Sequence, residues 1–330
     1  MSIEDVISDW RLLSIAEKGE VIDHLKHLYD AGVMEKSFNK ESEETTSRFN
    51  AKSGNDSNRT EHIIRCADFL LEETIAKLGK NKVDLVFTSP PYNSGVQYGE
   101  CVNDNKSIED YIRFLCDAMR NCDALLKGGG RLVINIRDIA IGKGKRLPII
   151  VPLYDFLVKE GSYFYRGLHI WYKGREESST GWGSWRSASS PSIIDLYEWV
   201  FVFQKKGNRK KGKDNLGKTE FVEDVIGVWK IRPVKKITSK KKKNVVDHPC
   251  PFPVELAKRV IKLYSHVGDL VLDPFAGIST TSMAAIQSGR NSICVEINKD
   301  YCDVGWKKLQ KLYGGGLMFS NVELKKTIDN

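Results

Sequence analysis

Between residues 270 and 297 an apolar run, a tight turn, a helix of small residues and a second apolar run follow one another without a break. That order restricts the fold more than any other stretch of the chain. Leu270-Val-Leu-Asp273 is short enough to be a buried strand, residues 280–288 suit a closely packed helix, and 292–297 form the next strand, all preceded by an amphipathic helix over Val254–Tyr264. Strands that are apolar on both faces predict parallel pairing, with helices covering the sheet. An earlier block repeats the alternation. Val83-Asp-Leu-Val-Phe-Thr88 predicts a strand, and Ser107-x-x-Asp110 caps a helix whose Tyr111, Phe114, Leu115, Ala118, Cys122 and Leu125 share one face. Gly128-Gly-Gly130 is the expected stop of that helix, with another strand at 131–136. The aromatic and β-branched runs Tyr163–Tyr172 and 194–203 predict an antiparallel pair. The chain is therefore α/β, a doubly wound sheet with helices on both faces.

The first 60 residues differ in character. Ile3, Val6, Ile7 and Trp10 fall at helical spacing, and Ser14-x-x-Glu17 forms a capping box ahead of Val21, Ile22, Leu25 and Leu28. Residues 40–60 are polar and nearly free of large apolar side chains. An N-terminal helical extension that packs on the core, followed by a linker, is expected. No apolar run approaches the roughly 18 residues that span a bilayer, and the acidic start lacks the order of a signal peptide, so the expected location is cytoplasmic, with no membrane partner. Seven scattered cysteines without a C-x-x-C pair predict neither a disulfide framework nor a metal site.

Charge is unevenly distributed. The net charge is +8, yet residues 205–243 hold fifteen Lys/Arg against four Asp/Glu, a local +11 that leaves −3 for the rest. Such a run is either a solvated linker or a surface that displaces counterions from nucleic acid.

Two turns carry the chemistry. In Asp273-Pro-Phe-Ala-Gly-Ile-Ser-Thr280 the glycine at 277 lets a ligand approach the backbone, and Glu296, ending the next strand, can accept from two ribose hydroxyls. Neither the dinucleotide fingerprint G-x-G-x-x-G nor a P-loop lysine is present. Ser89-Pro90-Pro91-Tyr92 directly follows the strand that ends at Thr88. Two successive prolines fix φ and donate no hydrogen bond, so they hold a rigid turn with carbonyls at set positions. Alone it is a turn with an acceptor, but strand carboxyl ends are where open α/β sheets bind ligands.

These motifs, in this order, resemble the amino-methyltransferases of restriction-modification systems in their β-class arrangement: S/D/N-P-P-Y, then a target-recognition region, then D-P-F-x-G-x-G-T. The resemblance runs from about Cys66 to Trp306, and Gly181-Trp-Gly-Ser-Trp-Arg-Ser187 and His248-Pro-Cys-Pro-Phe-Pro253 resemble recurrent segments of its serine-bearing branch. It implies a Rossmann-like methyltransferase sheet with S-adenosyl-L-methionine as cofactor. Catalytic roles fall on Ser89, Pro90, Pro91 and Tyr92. Asp273, Phe275, Gly277 and Thr280 would surround the methionine end of the cofactor, Glu296 its ribose and Asp68 its adenine. Ser279 departs from the pattern by replacing the second glycine. The implied divisions are an N-terminal extension (1–60), a catalytic half (61–172), a target-recognition and basic DNA-binding insertion (173–246) and a cofactor half with the C-terminal tail (247–330).

The implied activity is methylation of an exocyclic amine in double-stranded DNA, in a prokaryotic, DNA-associated setting. Ser-Pro-Pro-Tyr is typical of N4-cytosine enzymes, and N6-adenine is the alternative. An RNA or protein amine methyltransferase, or an inert DNA-binding protein, are the other readings. A cognate restriction endonuclease and a homodimer are partners that the resemblance admits. Pro249-Cys250 matches the dipeptide of carbon-5 enzymes but lies in the cofactor-side segment. Trp182 and Trp185, surrounded by glycine and serine, are the tryptophans expected outside the core, and Arg175 and Arg186 are candidates to read base edges.

Overall fold

The computed structural model describes residues 59–93, 95, 104–140, 145–175, 183–234, 252–314 and 321–329. The chain divides into two compact units, Met1–Ser57 and Asn58–Asn330, and the described residues belong to the second. The expected helices within 1–31 and the polar stretch 40–58 lie outside the described residues. So do Trp182, the lysines at 235–243 and Pro249-Cys250.

The elements in chain order are β1 (Thr60–Cys66), α1 (Glu72–Leu78), β2 (Val83–Thr88), α2 (Ile108–Leu125), β3 (Leu126–Ile136), a two-stranded β4 (Ile139–Ala140) and β5 (Arg146–Leu147), α3 (Ile150–Tyr154), β6 (Tyr163–Tyr172) and β7 (Tyr197–Lys205). They continue with α4 (Lys218–Asp224), β8 (Val228–Lys230), α5 (Val254–Tyr264), β9 (Leu270–Asp273), α6 (Thr280–Ser288), β10 (Asn291–Glu296), α7 (Lys299–Tyr313) and β11 (Val322–Ile328). Nine strands form one sheet in the order β11-β1-β10-β9-β2-β3-β7-β6-β8. From β11 to β3 all neighbours are parallel. β7 returns antiparallel between β3 and β6, so the expected antiparallel pair is present, and β8 runs parallel to β6. Among the described residues no helix is long and apolar enough to cross a membrane.

Alternation within the central strands sends side chains to both faces. Val86 of β2 and Leu132, Ile134 and Ile136 of β3 join α2 and α3 in one cluster. Leu85, Phe87 and Val133 face Leu256, Ala257, Val260 and Ile261 of α5, together with Ala284 and Ala285 of α6. The small residues of α6 allow it to lie close against α5, as its composition predicts. Ser107 caps α2 by accepting from Asp110 N (3.1 Å), and Tyr111, Leu115, Ala118, Met119, Cys122 and Leu125 form its buried face.

The three glycines at 128–130 do not terminate α2. The helix ends at Leu125 and β3 begins at once, carrying the glycines inside the strand. The register jumps there, from Val83↔Leu126 to Leu85↔Arg131, so the extra residues form a bulge. Gly129 takes φ +77°, and a Cβ on it would stand 2.5 Å from Arg209 N. Close passage of the chain after β7, not helix termination, requires glycine here.

Two strands were not anticipated. β1 carries His62 and Arg65 among its apolar residues, and β11 carries Lys325 and Lys326. Their polar groups are satisfied sideways: His62 bonds Ser292 Oγ (2.8 Å) and Thr60 Oγ1 (3.0 Å), and Arg65 pairs with Asp329 (2.9 Å). Lysines on an edge strand such as β11 also discourage pairing with another chain.

Candidate active site

The carboxyl ends of β9 and β2 lie side by side at the centre of the sheet, with Leu85↔Val271 and Val86↔Leu272 in register. This is the switch point of the doubly wound order, since β10 and β1 extend to one side and β3 to the other. Thr88 Oγ1 donates to Asp273 Oδ1 (2.9 Å) and Thr281 Oγ1 to Asp273 Oδ2 (2.5 Å), while Phe275 N also reaches Oδ1 (3.2 Å). Asp273 thus ties the two motif loops and the start of α6 together. It is fully buried, burial pushes its carboxyl up to about 6, and it is not part of the cleft wall. Its expected place beside the cofactor becomes a place beneath it.

A cleft of about 220 Å³ opens above this junction. Its walls bring together Asp68, Phe275, Gly277, Thr280 and Glu296 from one set of predicted residues and Ser89, Pro90, Pro91 and Tyr92 from the other. Glu296 is held by two backbone donors, Gly277 N to Oε2 (2.7 Å) and Asn298 N to Oε1 (2.8 Å). Burial nonetheless pushes its carboxyl up to about 7. Each oxygen keeps a lone pair for a vicinal diol. Phe275 packs against Phe69 (ring centroids 6.2 Å) and Phe114 (5.5 Å), which gives the cleft an aromatic side. Asp68 Oδ1 accepts from Leu70 N (2.8 Å), which fixes the turn after β1. A carboxylate poised for a ribose, small residues at a helix start and aromatic rings for an adenine fit S-adenosyl-L-methionine.

Ser279 occupies the left-handed region (φ +62°, ψ 39°), the conformation its missing glycine would take. It is fully buried, and a Cβ on Gly305 of α7 would meet its Oγ at 2.7 Å. The loop path is retained at the cost of left-handed strain in a residue with a side chain.

The catalytic loop rests on residues that the motifs did not reveal. Tyr111 OH donates to Pro91 O (2.6 Å). Tyr92 OH donates to Glu198 Oε2 (2.7 Å) and lies 2.7 Å from Ser89 Oγ. Asn135 Nδ2 donates to Glu198 Oε2 (2.7 Å) and to Tyr92 OH (3.0 Å), and Lys173 Nζ reaches Glu198 Oε1 (2.6 Å). Burial beside the Glu198 carboxylate holds the Tyr92 phenol well above its ordinary value. The Arg137 guanidinium lies over the Tyr92 ring (5.6 Å). One signal was available: Asn135 and Glu198 are lone polar residues in the strand runs 132–136 and 197–203.

The described part of the basic segment divides between the two ends of the sheet. Lys205 bonds Leu126 O (3.0 Å), and Arg209 bonds Asp269 (2.9 Å) and Tyr264 O (2.8 Å), all at the amino ends of the parallel strands, opposite the cleft. α4 is then tied to α5 by the Glu220–Lys262 ion pair, and β8 climbs beside β6, so that Ile231 N meets Tyr172 O (3.0 Å) at the cleft end. From there the chain passes Val234 and re-enters the described residues at Phe252, a wall residue of the cleft that packs on Phe87 (5.2 Å). Between β6 and β7, at the same end, Trp185 is 67% exposed, while Trp171 and Trp229 are core residues. Arg186 beside it takes φ +54°.

The DNA methylase model that covers N6 and N4 methyltransferases matches residues 83–307. M.ScaI, a type II methyltransferase of Streptomyces caespitosus, is 30% identical over 72% of this chain and 78% of its own length. M.BglII of Bacillus subtilis is 26% identical over 69% of this chain, which spans 64% of that relative. The DNA adenine methyltransferase YhdJ of Escherichia coli K12 is 28% identical over 71% of this chain and 79% of its own length. Among solved structures, a DNA modification methylase of Thermus thermophilus complexed with S-adenosyl-L-methionine superposes with a TM-score of 0.61 at 25% identity, over 82% of this chain and 99% of that one. The cytosine-N4-specific PvuII DNA methyltransferase shares the fold, with a TM-score of 0.56 at 18% identity, over 81% of this chain and 96% of its own. With its switch-point cleft and both motif loops inside the matched residues, the chain belongs to the DNA methylase family of N6 and N4 methyltransferases.

Proposed function

We propose that the protein is a site-specific DNA methyltransferase that uses S-adenosyl-L-methionine to methylate the exocyclic N4 amine of a cytosine flipped out of duplex DNA. The observation that carries this reading is the cleft in which Ser89 and Pro90 face Gly277 and Glu296. The cofactor supplies an electrophilic methyl group when bound. Glu296 holds its ribose hydroxyls, Asp68 and Phe69 flank its adenine, and Phe275, Gly277 and Thr280 line its methionine end.

The target amine is a weak nucleophile because its lone pair is delocalised into the ring. Pro91 O is occupied by Tyr111, so the acceptors offered to the amine are Pro90 O and Ser89 Oγ. Hydrogen bonds from the amine to both favour a pyramidal nitrogen, and holding it at attack distance contributes up to ~7–11 kcal/mol in well-oriented systems. Extrusion of the base costs a few kcal/mol, offset in part by stacking on Tyr92. Sequence reading is assigned to the region 173–246, with the loop bearing Trp185 and Arg186 nearest in chain to the cleft end, and phosphate contact to its lysines. The type II relatives support a companion restriction endonuclease.

Ser89 at the head of the motif favours cytosine. N6-adenine is the second reading, supported by the similarity to YhdJ. Incubation with unmethylated mixed-sequence DNA and cofactor, followed by mass spectrometry of the nucleosides, is expected to yield 4-methylcytosine. 6-Methyladenine alone would overturn the choice of base, and no methylated nucleoside would overturn the whole reading.

A further inference from the structure

The hydrogen-bond directions behind the catalytic loop are forced by chemistry. A carboxylate only accepts, so Glu198 receives protons from Lys173 at Oε1 and from Asn135 and Tyr92 at Oε2. Tyr92 has a single hydroxyl proton and gives it to Glu198. Its 2.7 Å contact with Ser89 is then a bond that Ser89 donates. Every hydroxyl in the row points its proton away from the cleft, and Ser89, on the cleft wall, has lone-pair capacity to receive one. Glu198 is only 6% exposed, and Lys173 neutralises it from the far side with its own side chain 22% exposed. Burying an ion pair for stability alone is a poor return on its desolvation.

We propose that Ser89, Tyr92 and Glu198 form a proton relay that drains the methylated amine, with Glu198 as its positioning residue and terminal acceptor. This rests on the exocyclic-amine reading above. The lone pair of the amine forms the N–C bond as the C–S bond breaks and returns its electron pair to sulfur, which leaves the positive charge on nitrogen. Conjugation with the ring is lost in that cation, so its proton is strongly acidic. The nitrogen gives it to Ser89 Oγ, Ser89 passes its own to Tyr92, and Tyr92 passes its own to Glu198 Oε2. Glu198 ends neutral. Lys173 resets the row by releasing a proton to water and taking the one from Glu198. Asn135 donates to both Glu198 and Tyr92 and fixes their spacing without entering the relay. Arg137 over the Tyr92 ring is the other nearby charge.

The test compares the wild type with Glu198→Gln, Tyr92→Phe and the double variant, in single-turnover transfer to DNA, with cofactor affinity measured by calorimetry. Each single variant is expected to slow transfer by about 10²-fold, the usual scale of positioned acid–base help, while cofactor affinity stays within about twofold. The double variant is expected to be no slower than either single one, because a relay broken once is broken. Glu198→Asp should recover part of the rate. Infrared difference spectra of a single turnover should show a protonated carboxyl band in the wild type that is missing in Glu198→Gln. Full activity of Glu198→Gln, losses that multiply in the double variant, or absence of the carboxyl band overturns the relay. If the wild type itself methylates no amine in DNA, the amine reading falls and the relay with it, whereas an active wild type with an equally active Glu198→Gln overturns the relay alone.

Discussion

The two walls of the cleft are built by different means. On the cofactor side the functional groups and their supports are close in sequence: Glu296 is held by the backbone of residues 277 and 298, and Phe275, Gly277 and Thr280 belong to one turn. On the catalytic side Ser89 to Tyr92 are held by side chains from three other places, Asn135 on β3, Glu198 on β7 and Lys173 just past β6. A wall made of backbone bonds tolerates side-chain variation around it. A wall made of side chains does not, since removing one partner leaves buried polar groups unsatisfied.

Contrasting substitutions are the strongest way to break that comparison. Tyr92→Ala is expected to lower single-turnover methyl transfer by about 10³-fold, with cofactor affinity within about twofold of the wild type, because stacking and the row of hydroxyls are lost together. Glu296→Ala is expected to weaken cofactor binding by about 10²-fold, the loss of hydrogen bonds to a charged acceptor, as read by calorimetry. If both variants lose binding and transfer equally, the walls are not separable.

A pH experiment sharpens the cofactor side. Glu296 titrates at about 7 in the folded protein against an ordinary 4.5. The folded state therefore holds this proton more tightly than the unfolded chain, so the stability contributed here is full below pH 4.5 and is lost as pH rises through 7. Glu296→Gln removes that slope. The difference in unfolding free energy between variant and wild type should grow in favour of the variant by at most about 3 kcal/mol between about pH 4.5 and 8, measured by urea titration without cofactor. Parallel curves for the two proteins would contradict the burial argument.

Smaller effects test the seam between the walls. Thr88→Val keeps the shape but deprives Asp273 of one donor, and should destabilise the protein by about 1–2 kcal/mol. Ser279→Gly should stabilise it by about 1 kcal/mol, since glycine adopts the left-handed conformation without the Cβ penalty. Denaturation midpoints decide both.

The same contrast explains what could be read from sequence. The βαβ unit from β9 to β10, α5, β2 and the antiparallel β6–β7 pair were legible because each is a local pattern of apolar residues with its own punctuation. The positions of Gly277 and Glu296 in the cleft were legible for the same reason. Asn135, Glu198 and Lys173 were not, because their meaning depends on which strands become neighbours. The glycines at 128–130 misled because a helix stop and a bulge use the same residue. β1 and β11 escaped notice because their charged side chains find partners in remote segments, such as Arg65 with Asp329.

That last pairing has a consequence for synthesis. β1 is the earliest described strand, and both its neighbours, β10 and β11, come from the far end of the chain. The strand that separates the two motif halves, β9, is also made late. A ribosome that has released β1, β2 and β3 has therefore produced strands whose central partners do not yet exist. Until residues beyond 270 emerge, β1 and β2 have open edges. Such a chain should depend on slow elongation or on chaperones through that interval, and a message cut short before β9 should give protein that aggregates instead of one lobe that folds.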